Sequence, residues 1–432
     1  MSTSVPGAGE PPAWHPHLWH PFIQVASADP PLRAVAGRGA LLELDDGRLL
    51  IDAISSWWVT LHGHAEPTIA AAIAQQAATL EQVIFADFRH PVAEQLADQL
   101  SARSGLERLF FSDNGSTAVE VALKMAWQWW QNRGERRSRL IAFTGAYHGD
   151  TFGAMAVGER SIFSAPFEPL LFAVARAPWP ATWWGDEAVE QREAEALAEL
   201  ERLLSEPTAA VILEPLLQGA GGMAMVRPQF LQAVERLVRQ AGALLIADEV
   251  LTGFGRCGSL LASQRAGIAP DLIALSKGLT GGFLPMGVTL AREAIFQGFI
   301  SPEPSRTFFH GHSFTANPLG CAAALASLRL LDERPQRYER MEERHRPHLE
   351  ALAGHPRLRH PRLLGSAAAF DLVVERPGYL NPAGRILQKR LLSEGVFLRP
   401  LGDVVYLLPP LCISDDELAR CYAGLGRALD AL

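Results

Sequence analysis

Lysine, cysteine and long apolar stretches are all scarce in this sequence. Lysine occupies only three positions of 432, Lys124, Lys277 and Lys389, although Lys and Arg together number 39. The four cysteines form no CxxC pair and lack the spacing of a zinc site or a disulfide framework. No stretch reaches the roughly 18 apolar residues of a membrane span, and no signal-peptide pattern is present. We therefore expect a cytoplasmic protein without a metal. If the chemistry of this protein needs a side-chain amine, only these three lysines can supply it.

The charge balance is mildly acidic, with 39 Lys and Arg against 47 Asp and Glu and a net charge of −8. Nucleic-acid binding needs a clustered basic face, and no run of Lys or Arg supplies one. Apolar residues make up 48% of the chain and charged residues 20%, which excludes a disordered or coiled-coil protein. The composition indicates a globular protein without a nucleic-acid or membrane partner.

Short apolar runs alternate with helical patterns through the middle of the chain. The runs have the length and flanking residues of buried parallel strands. They begin at Arg108, Leu140, Ala209, Leu244 and Leu272, and the helical patterns cover residues 116–130, 187–205 and 228–241. This alternation predicts an α/β fold, in which helices cover both faces of a mostly parallel central sheet.

The two ends of the chain have a different character. A Pro- and Gly-rich arm, residues 1–16, comes before a predicted strand pair at residues 41–51. Residues 329–352 read as one long charged helix, and strand-like pieces follow at residues 367–374 and 404–408. We therefore divide the chain into a flexible arm (1–16), a large cofactor-binding domain (66–328) and a smaller α+β domain built from residues 17–65 and 329–432.

Two charged residues follow neighbouring predicted strands of the central sheet. Asp248 ends the strand that begins at Leu244, and Lys277 opens a glycine-rich turn after the next strand. The carboxyl ends of such strands form the crevice in which α/β sheets bind ligands. An amine that forms a Schiff base and a carboxylate that keeps a pyridine nitrogen protonated are what a pyridoxal 5'-phosphate enzyme requires. Lys124, in a helical pattern, and Lys389, in a charged stretch, are weaker candidates.

A phosphate-binding segment and an aromatic face complete this interpretation. Residues 112–117, Ser-Asp-Asn-Gly-Ser-Thr, lie between a predicted strand and a predicted helix, where free backbone N–H groups and hydroxyls suit a phosphate. Taken alone, the segment also fits an ordinary capped helix start. Tyr147 follows the strand that begins at Leu140 and offers a ring that can stack on a planar cofactor.

Together these residues resemble the class III aminotransferases of fold type I, over nearly the whole chain. Further blocks narrow the resemblance to the branch of this family that serves biotin synthesis. They are Trp19-His20-Pro21, Ser55-Ser56-Trp57-Trp58, Leu61-His62-Gly63-His64, Gly145–Asp150, Gln218–Met223, Thr252–Arg256 and Val405–Pro410. The Ser-Ser-Trp-Trp block and the Tyr-Leu-x-Pro-Pro part of the last block are the most specific.

The resemblance implies a catalytic role for three residues. Lys277 would bind the cofactor covalently and, once released, would move the proton between the substrate carbon and the cofactor. Asp248 would pair with the pyridinium nitrogen. Tyr147 would pack on the ring and line the substrate pocket.

The resemblance also implies which residues bind the phosphate and the substrate. Gly115 and Ser116 would hold the phosphate, and His312 and Ser313 of the partner subunit in a homodimer would complete its site. The substrate pocket would be formed by Phe22, Trp57, Tyr147, Lys277, Gly311 and Arg399. Among these, Trp57 would wall a long apolar substrate and Arg399 would receive a carboxylate.

This chain departs from the better-known members of the family at two places. Phe22 stands where they have Tyr, and His312-Ser313 stand where they have Pro-Thr. Ser313 keeps the hydroxyl that phosphate binding needs, whereas Phe22 loses one in the substrate pocket. Arg256 matches the family, and we assign it no role from the sequence.

The activity implied by the resemblance is transfer of an amino group from S-adenosyl-L-methionine to 8-amino-7-oxononanoate, giving 7,8-diaminononanoate by a ping-pong route. The departures at Phe22 and His312 leave L-lysine open as the donor. Another class III transaminase, for ω-amino acids or diamines, would share the Lys, Asp and phosphate motifs, although the tryptophan pair argues against it. A silent relative that only binds a ligand would be expected to lose Lys277 or Asp248, and both are present.

Overall fold

The computed structural model describes residues 14–432, so most of the arm predicted at residues 1–16 lies outside the described residues. In chain order the strands are β1 (Ala34–Arg38), β2 (Leu41–Leu44), β3 (Leu49–Asp52), β4 (Arg108–Ser112), β5 (Arg139–Phe143), β6 (Ala175–Ala177), β7 (Thr208–Leu213), β8 (Leu217–Gln218), β9 (Ala224–Met225), β10 (Leu244–Asp248), β11 (Leu272–Leu275), β12 (Gly287–Ala291), β13 (Leu358–Leu364), β14 (Ala367–Leu372), β15 (Val396–Phe397) and β16 (Val404–Leu407).

The α-helices are α1 (Ser55–Trp58), α2 (Pro67–Ala77), α3 (Pro91–Ser104), α4 (Gly115–Asn132), α5 (Phe152–Val157), α6 (Val189–Leu204), α7 (Pro228–Gln240), α8 (Ala262–Ala266), α9 (Glu293–Gln297), α10 (Pro318–Glu333), α11 (Gln336–Glu339), α12 (Met341–Ala353), α13 (Ala383–Ser393) and α14 (Asp415–Asp430). Short 3-10 helices cover Ala165–Leu170, Lys277–Thr280 and Pro304–Arg306. Within residues 14–432, no helix has both the length and the apolar character needed to cross a bilayer.

A seven-stranded sheet forms the centre of the molecule, with the strand order β4-β12-β11-β10-β7-β5-β6. The strands from β11 to β6 pair in parallel. Every residue of β7, β10 and β11 is buried, as expected for apolar runs that are covered by helices on both faces of a sheet. The predicted α/β fold with a mostly parallel central sheet is confirmed.

Two strands of this sheet, the short β6 and the antiparallel β12, were not predicted from the sequence. Strand β12 lies between β11 and β4 and runs antiparallel to both. Its five residues directly follow a segment rich in Gly and Pro, where the apolar pattern is too short to distinguish a strand from a loop. As a result, β4 runs in the same direction as β11, as predicted, but its hydrogen-bonded neighbour β12 runs in the opposite direction.

The helices predicted between the strands correspond to α4, α6 and α7, whereas the single helix predicted over residues 329–352 is wrong. The structure has three helices there, α10, α11 and α12. Arg334 leaves the helical region with φ −135° and ψ 50°, because the ring of the following Pro335 disfavours a helical conformation in the residue before it. A second break follows at Arg340, between α11 and α12.

Apart from the two-stranded sheet of β8 and β9, two smaller sheets are built from the N-terminal and C-terminal parts of the chain. Strands β1, β2 and β3 form an antiparallel sheet that β15 joins by pairing in parallel with β3. Strands β13, β14 and β16 form a separate antiparallel sheet. The N-terminal strands therefore pair with the C-terminal part of the chain, while the domain boundaries near residues 66 and 328 stay predictions.

Candidate active site

A cavity of about 650 Å³ opens where β10 and β11 end. Asp248 is the last residue of β10, and Lys277 lies two residues beyond β11. Both line the cavity, together with Gly115, Ser116 and Tyr147. The structure therefore brings together the five residues that the sequence analysis assigned to the cofactor within one chain.

Lys277 begins the turn after β11 in a left-handed backbone conformation, with φ 42°. Its Nζ lies 5.2 Å from the centre of the Trp58 ring. Burial lowers the pKa of the amine, although the nearby carboxylates of Asp248 and Glu214 oppose that effect. A lysine of lowered pKa is more often deprotonated at neutral pH, and it can then act as a nucleophile and a base.

The other two lysines lie away from this cavity. Lys124 Nζ is 3.0 Å from Nδ1 of His310, and Lys389 Nζ pairs with the Asp29 carboxylate at 2.6 Å. Each has a local partner, and neither lines the cavity. Lys277 is therefore the amine that the fold directs to the ligand-binding edge of the sheet.

Asp248 is buried and held in a fixed orientation. Its Oδ2 lies 2.6 Å from Nδ1 of His148, and its Oδ1 accepts the Val250 N–H at 3.0 Å. The opposite nitrogen of the imidazole, Nε2 of His148, is buried and has no hydrogen-bond partner among the described residues. His148 lies in the Gly145–Asp150 block and had no role predicted from the sequence, and the structure makes it the partner of the Asp248 carboxylate.

The start of α4 provides the predicted phosphate-binding segment. Asn114 caps the helix by accepting the Thr117 N–H at 3.0 Å, which leaves the N–H groups of Gly115 and Ser116 available to an anion. A Cβ on Gly115 would lie only 2.6 Å from Cγ1 of Val250. A side chain at this position would therefore have to displace Val250 or shift the start of α4.

Glu214 is a cavity residue that the sequence analysis missed. It follows β7, is buried, and accepts the N–H groups of Tyr147 at 3.1 Å and Gly219 at 2.9 Å. Burial raises the pKa of this carboxyl to about 7, and the charge of Asp248 adds to the shift while His148 opposes it. A signal was present in the sequence, since Glu214 follows a buried strand at the same edge of the sheet as Asp248.

The predicted substrate residues Phe22 and Arg399 both contact Trp57, and all three lie outside the lining of the cavity. The ring centres of Phe22 and Trp57 lie 5.3 Å apart, and the Arg399 guanidinium lies 5.2 Å from the centre of the Trp57 ring. Trp57 is 41% exposed. The group adjoins the cavity through the next residue, Trp58, which does line it.

Trp58 and Arg256 were not assigned a role from the sequence. The Trp58 indole donates to the Tyr406 hydroxyl at 2.9 Å. Arg256 is fully buried and donates to the carbonyls of Pro409 at 2.8 Å and Trp58 at 3.3 Å. Burial lowers the pKa of its guanidinium to about 10. Arg256 thus connects the wall of the cavity to the C-terminal part of the chain.

Gly311, His312 and Ser313 do not line the cavity of their own chain. Nδ1 of His312 lies 3.4 Å from Oδ2 of Asp113, and the Ser313 carbonyl accepts from Nε2 of Gln82 at 3.1 Å. Within one chain these residues are not brought to Lys277. Their predicted contribution to the phosphate and substrate sites of a partner subunit stays a prediction.

The residues at the cavity fit pyridoxal phosphate. A helix start with available N–H groups suits the phosphate, and the oriented Asp248 carboxylate suits a protonated ring nitrogen. Gly115 has no side chain that could cover the N–H groups at the start of this helix. Lys277 supplies the amine in the same cavity.

Comparison with known proteins supports this interpretation. The family model "Aminotransferase class-III" matches residues 22–429. An adenosylmethionine-8-amino-7-oxononanoate aminotransferase from Synechococcus elongatus is 60% identical over 414 residues, which are 95% of this chain and 98% of that protein. The crystal structure of an enzyme of the same name from Methanocaldococcus jannaschii superposes with a TM-score of 0.89 at 31% identity, over 96% of this chain and 97% of that one. An amine transaminase from an uncultivated Pseudomonas species, in its PLP-bound form, gives a TM-score of 0.91 at 31% identity, over 96% and 99% of the two chains.

Proposed function

Because the chain belongs to the class-III aminotransferase family, we propose that it transfers an amino group from S-adenosyl-L-methionine to 8-amino-7-oxononanoate, giving 7,8-diaminononanoate. The reaction is a step of biotin synthesis and uses pyridoxal 5'-phosphate. The names of the relatives from Synechococcus elongatus and Methanocaldococcus jannaschii support this donor and acceptor. The identity of 60% over nearly all of both chains favours them over the diamine and ω-amino-acid alternatives.

The observation that carries the proposal is the meeting of Lys277 and Asp248 in one cavity at the carboxyl edge of the sheet. Burial lowers the pKa of the Lys277 amine, so the amine can be neutral when a substrate arrives. Asp248 is held by His148 on one oxygen and by the Val250 N–H on the other. An amine and a fixed carboxylate in this arrangement suit amino-group transfer through pyridoxal phosphate.

When bound, pyridoxal phosphate supplies an electron sink and a carrier for the amino group. Lys277 Nζ is the group of the cavity that can take a proton from a substrate carbon and return it, because its lowered pKa lies closer to the working pH. Asp248 would keep a ring nitrogen protonated by offering a carboxylate. The start of α4 would hold the phosphate through the N–H groups of Gly115 and Ser116.

The aromatic and basic side chains beside the cavity suit both the amino donor and the keto acid acceptor. Trp57 presents a half-exposed ring against Phe22, and an aromatic face accepts an aliphatic chain and a sulfonium cation alike. The Arg399 guanidinium lies over the same ring and can bind a substrate carboxylate in a bidentate fashion. This surface suits both donor and acceptor, as a ping-pong route requires.

Absorbance of the purified holoenzyme tests the donor and the acceptor separately. S-adenosyl-L-methionine alone should convert the lysine-bound cofactor band to that of the amino form, and 8-amino-7-oxononanoate should reverse the change and yield 7,8-diaminononanoate by mass spectrometry. L-lysine in a parallel cuvette serves as the rival donor. Conversion by L-lysine only would show that L-lysine, and not S-adenosyl-L-methionine, is the donor. No conversion by either donor would refute the proposal.

The enzyme is further proposed to act as a homodimer whose subunits share their active sites. Large apolar side chains are exposed on two neighbouring segments, with Phe88 59% and Phe309 74% accessible. The hydrogen bond from Gln82 to the Ser313 carbonyl joins these segments. A second copy seated there would cover the apolar side chains and bring its own His312 and Ser313 toward a neighbouring cavity. Light scattering should give twice the chain mass of 47.0 kDa, and a monomer that retains full activity would refute the shared site.

We place this activity in the cytoplasm. The four cysteines are free thiols, and Cys257 and Cys321 are fully buried. Free thiols persist in a reducing compartment. Fractionation of cells with a tagged protein tests the location, and recovery in any other compartment would contradict it.

A further inference from the structure

Three of the four consecutive residues Ser55–Trp58, next to the cavity, adopt a left-handed backbone conformation that L-amino acids seldom take. The φ angles of Ser55, Ser56 and Trp58 are 54°, 62° and 67°, and Trp57 is also outside the helical region, with φ −118° and ψ 57°. This is the segment given above as α1, but its φ and ψ angles are not those of an α-helix, and we call it the Ser55–Trp58 turn. Such a conformation persists only where its surroundings over-determine it, so a neighbouring group must hold it.

One such group is Asp52, a fully buried carboxylate at the end of β3. The Ser55 hydroxyl also donates to the Leu408 carbonyl at 2.7 Å, and Arg256 donates to the Trp58 carbonyl. Oδ1 of Asp52 accepts the Ile54 N–H at 3.2 Å. Its Oδ2 accepts the Ser56 N–H at 2.6 Å and the Ser56 hydroxyl at 3.3 Å, and it lies 2.9 Å from Nε2 of His64. Both oxygens are therefore used within the same short segment. A buried carboxylate with this many donors is a strong local constraint.

The Ser55–Trp58 turn sets the positions of two tryptophans. Trp58 lies with its ring centre 5.2 Å from Lys277 Nζ, and its indole reaches the Tyr406 hydroxyl. Trp57 points to the other side, where it contacts Phe22 and Arg399. Since neighbouring residues share one backbone, a shift of the Ser56 peptide would move both rings.

We propose that Asp52 is a positioning residue for substrate recognition, which holds the Ser55–Trp58 turn so that Trp57 and Arg399 meet the long keto acid. The carboxylate does not line the cavity, and it acts through the backbone of Ser56. The inference rests on the proposed function, because the substrate with which it is tested is 8-amino-7-oxononanoate.

The direct test is Asp52→Asn in the holoenzyme. The amide keeps one oxygen acceptor but places an NH2 group against the donors that Oδ2 accepts, so the Ser56 N–H loses its acceptor. The KM for 8-amino-7-oxononanoate should rise about tenfold, as expected when one charge-assisted hydrogen bond is lost, while kcat changes less than about threefold. Amide hydrogen exchange at Ser56 should become faster, which gives a readout independent of activity.

A double-mutant cycle with Trp57→Ala separates positioning from general support of the fold. If Asp52 acts through Trp57, the KM of the double variant should equal that of Trp57→Ala, because the second change removes nothing further. Ser56→Gly in the Asp52→Asn background should restore part of the KM, because glycine adopts φ 62° without a Cβ clash.

The matched control is Asp271→Asn. Asp271 is also buried and also accepts a backbone N–H, that of Leu245 at 2.8 Å. It lies at the opposite end of the central sheet, before β11. This variant should lower the melting temperature without changing the KM.

Three outcomes would overturn the inference: an unchanged KM in Asp52→Asn, effects of Asp52→Asn and Trp57→Ala that multiply, or an equal KM change in Asp271→Asn. If Asp52→Asn does not fold, His64→Ala removes one partner of Oδ2 and should raise the KM about threefold, and an unchanged KM there would count against the proposal equally. Failure of the wild-type protein to use the keto acid would instead refute the proposed function.

Discussion

Nδ1 of His148 lies 2.6 Å from Oδ2 of Asp248, and both side chains are buried at the end of β10. The second oxygen of Asp248 is occupied by the Val250 N–H. The plane of the carboxylate is therefore fixed from two sides before any ligand binds. A pre-oriented carboxylate can pair with a ring nitrogen without first losing rotational freedom.

Removal of the imidazole should weaken cofactor binding. In His148→Ala, Asp248 loses its side-chain partner, and the dissociation constant for pyridoxal phosphate should rise about tenfold, the usual effect of losing one such hydrogen bond. Titration of the apoenzyme measures it. His345→Ala is the control, since His345 is also buried, hydrogen-bonds to the Tyr422 hydroxyl and does not line the cavity. An equal change in both variants would contradict the assigned role of His148.

Replacement of Lys277 should abolish turnover while the fold persists. Lys277→Ala removes both the amine that binds the cofactor and the base, and kcat should fall at least about 1,000-fold. Lys389→Ala, which breaks an exposed pair with Asp29, should retain full activity. Borohydride reduction followed by peptide mass mapping should place the cofactor on Lys277, and label on Lys124 or Lys389 would show that the wrong lysine has been chosen.

Glu214 should make the stability of the apoenzyme depend on pH. Burial raises its pKa from 4.5 to about 7. Between these values the folded state binds a proton that the unfolded state has lost, so the free energy of unfolding falls as the pH rises through this window. The loss contributed by Glu214 is on the order of 3 kcal/mol or less.

Chemical denaturation of the wild-type protein and of Glu214→Gln from pH 5 to pH 8 measures this effect. The difference between the two free energies of unfolding should change across the window, because the amide does not titrate. A constant difference would mean that Glu214 is already charged at pH 5.

Arg399 should contribute to substrate affinity more than to the chemical step. Arg399→Gln keeps a polar side chain next to Trp57 but removes the charge, and the KM for 8-amino-7-oxononanoate should rise about tenfold or more. Initial rates at saturating donor measure it. Arg385→Gln, an exposed arginine at the start of α13, should leave the KM unchanged. A fall in kcat alone would argue against a role in binding.

The sequence sufficed to predict Lys277 and Asp248 because both follow strands whose apolar runs are unmistakable. Strands of one parallel sheet end at the same edge, so the residues after them must be neighbours. Glu214 obeys the same rule after β7 and was within reach of the same reasoning. Gly115 and Ser116 were found likewise, at the junction between β4 and α4.

The contacts that hold Trp57 and Trp58 were beyond such reasoning. Asp52 is linked to His64 and Trp58 to Tyr406, and the second of these pairs is separated by more than 300 positions. No periodic pattern encodes which distant residues meet, and the left-handed φ angles of Ser55 and Ser56 contradict what their residue types favour locally. The prediction of one continuous helix over residues 329–352 was wrong for a different reason. Pro335 in the sequence already indicated a break in the helix near Arg334.

The hydrogen bonds from Trp58 to Tyr406 and from Arg256 to Pro409 have a consequence for biosynthesis. The wall beside Lys277 is assembled from a segment made early in translation and one made some 350 residues later. A nascent chain on the ribosome can already contain Lys277 and the helix start proposed to bind a phosphate, yet it lacks the strand that carries the partner of Trp58. The site can therefore bind substrate only late in synthesis, after the segment around Tyr406 has left the exit tunnel and packed against Trp58.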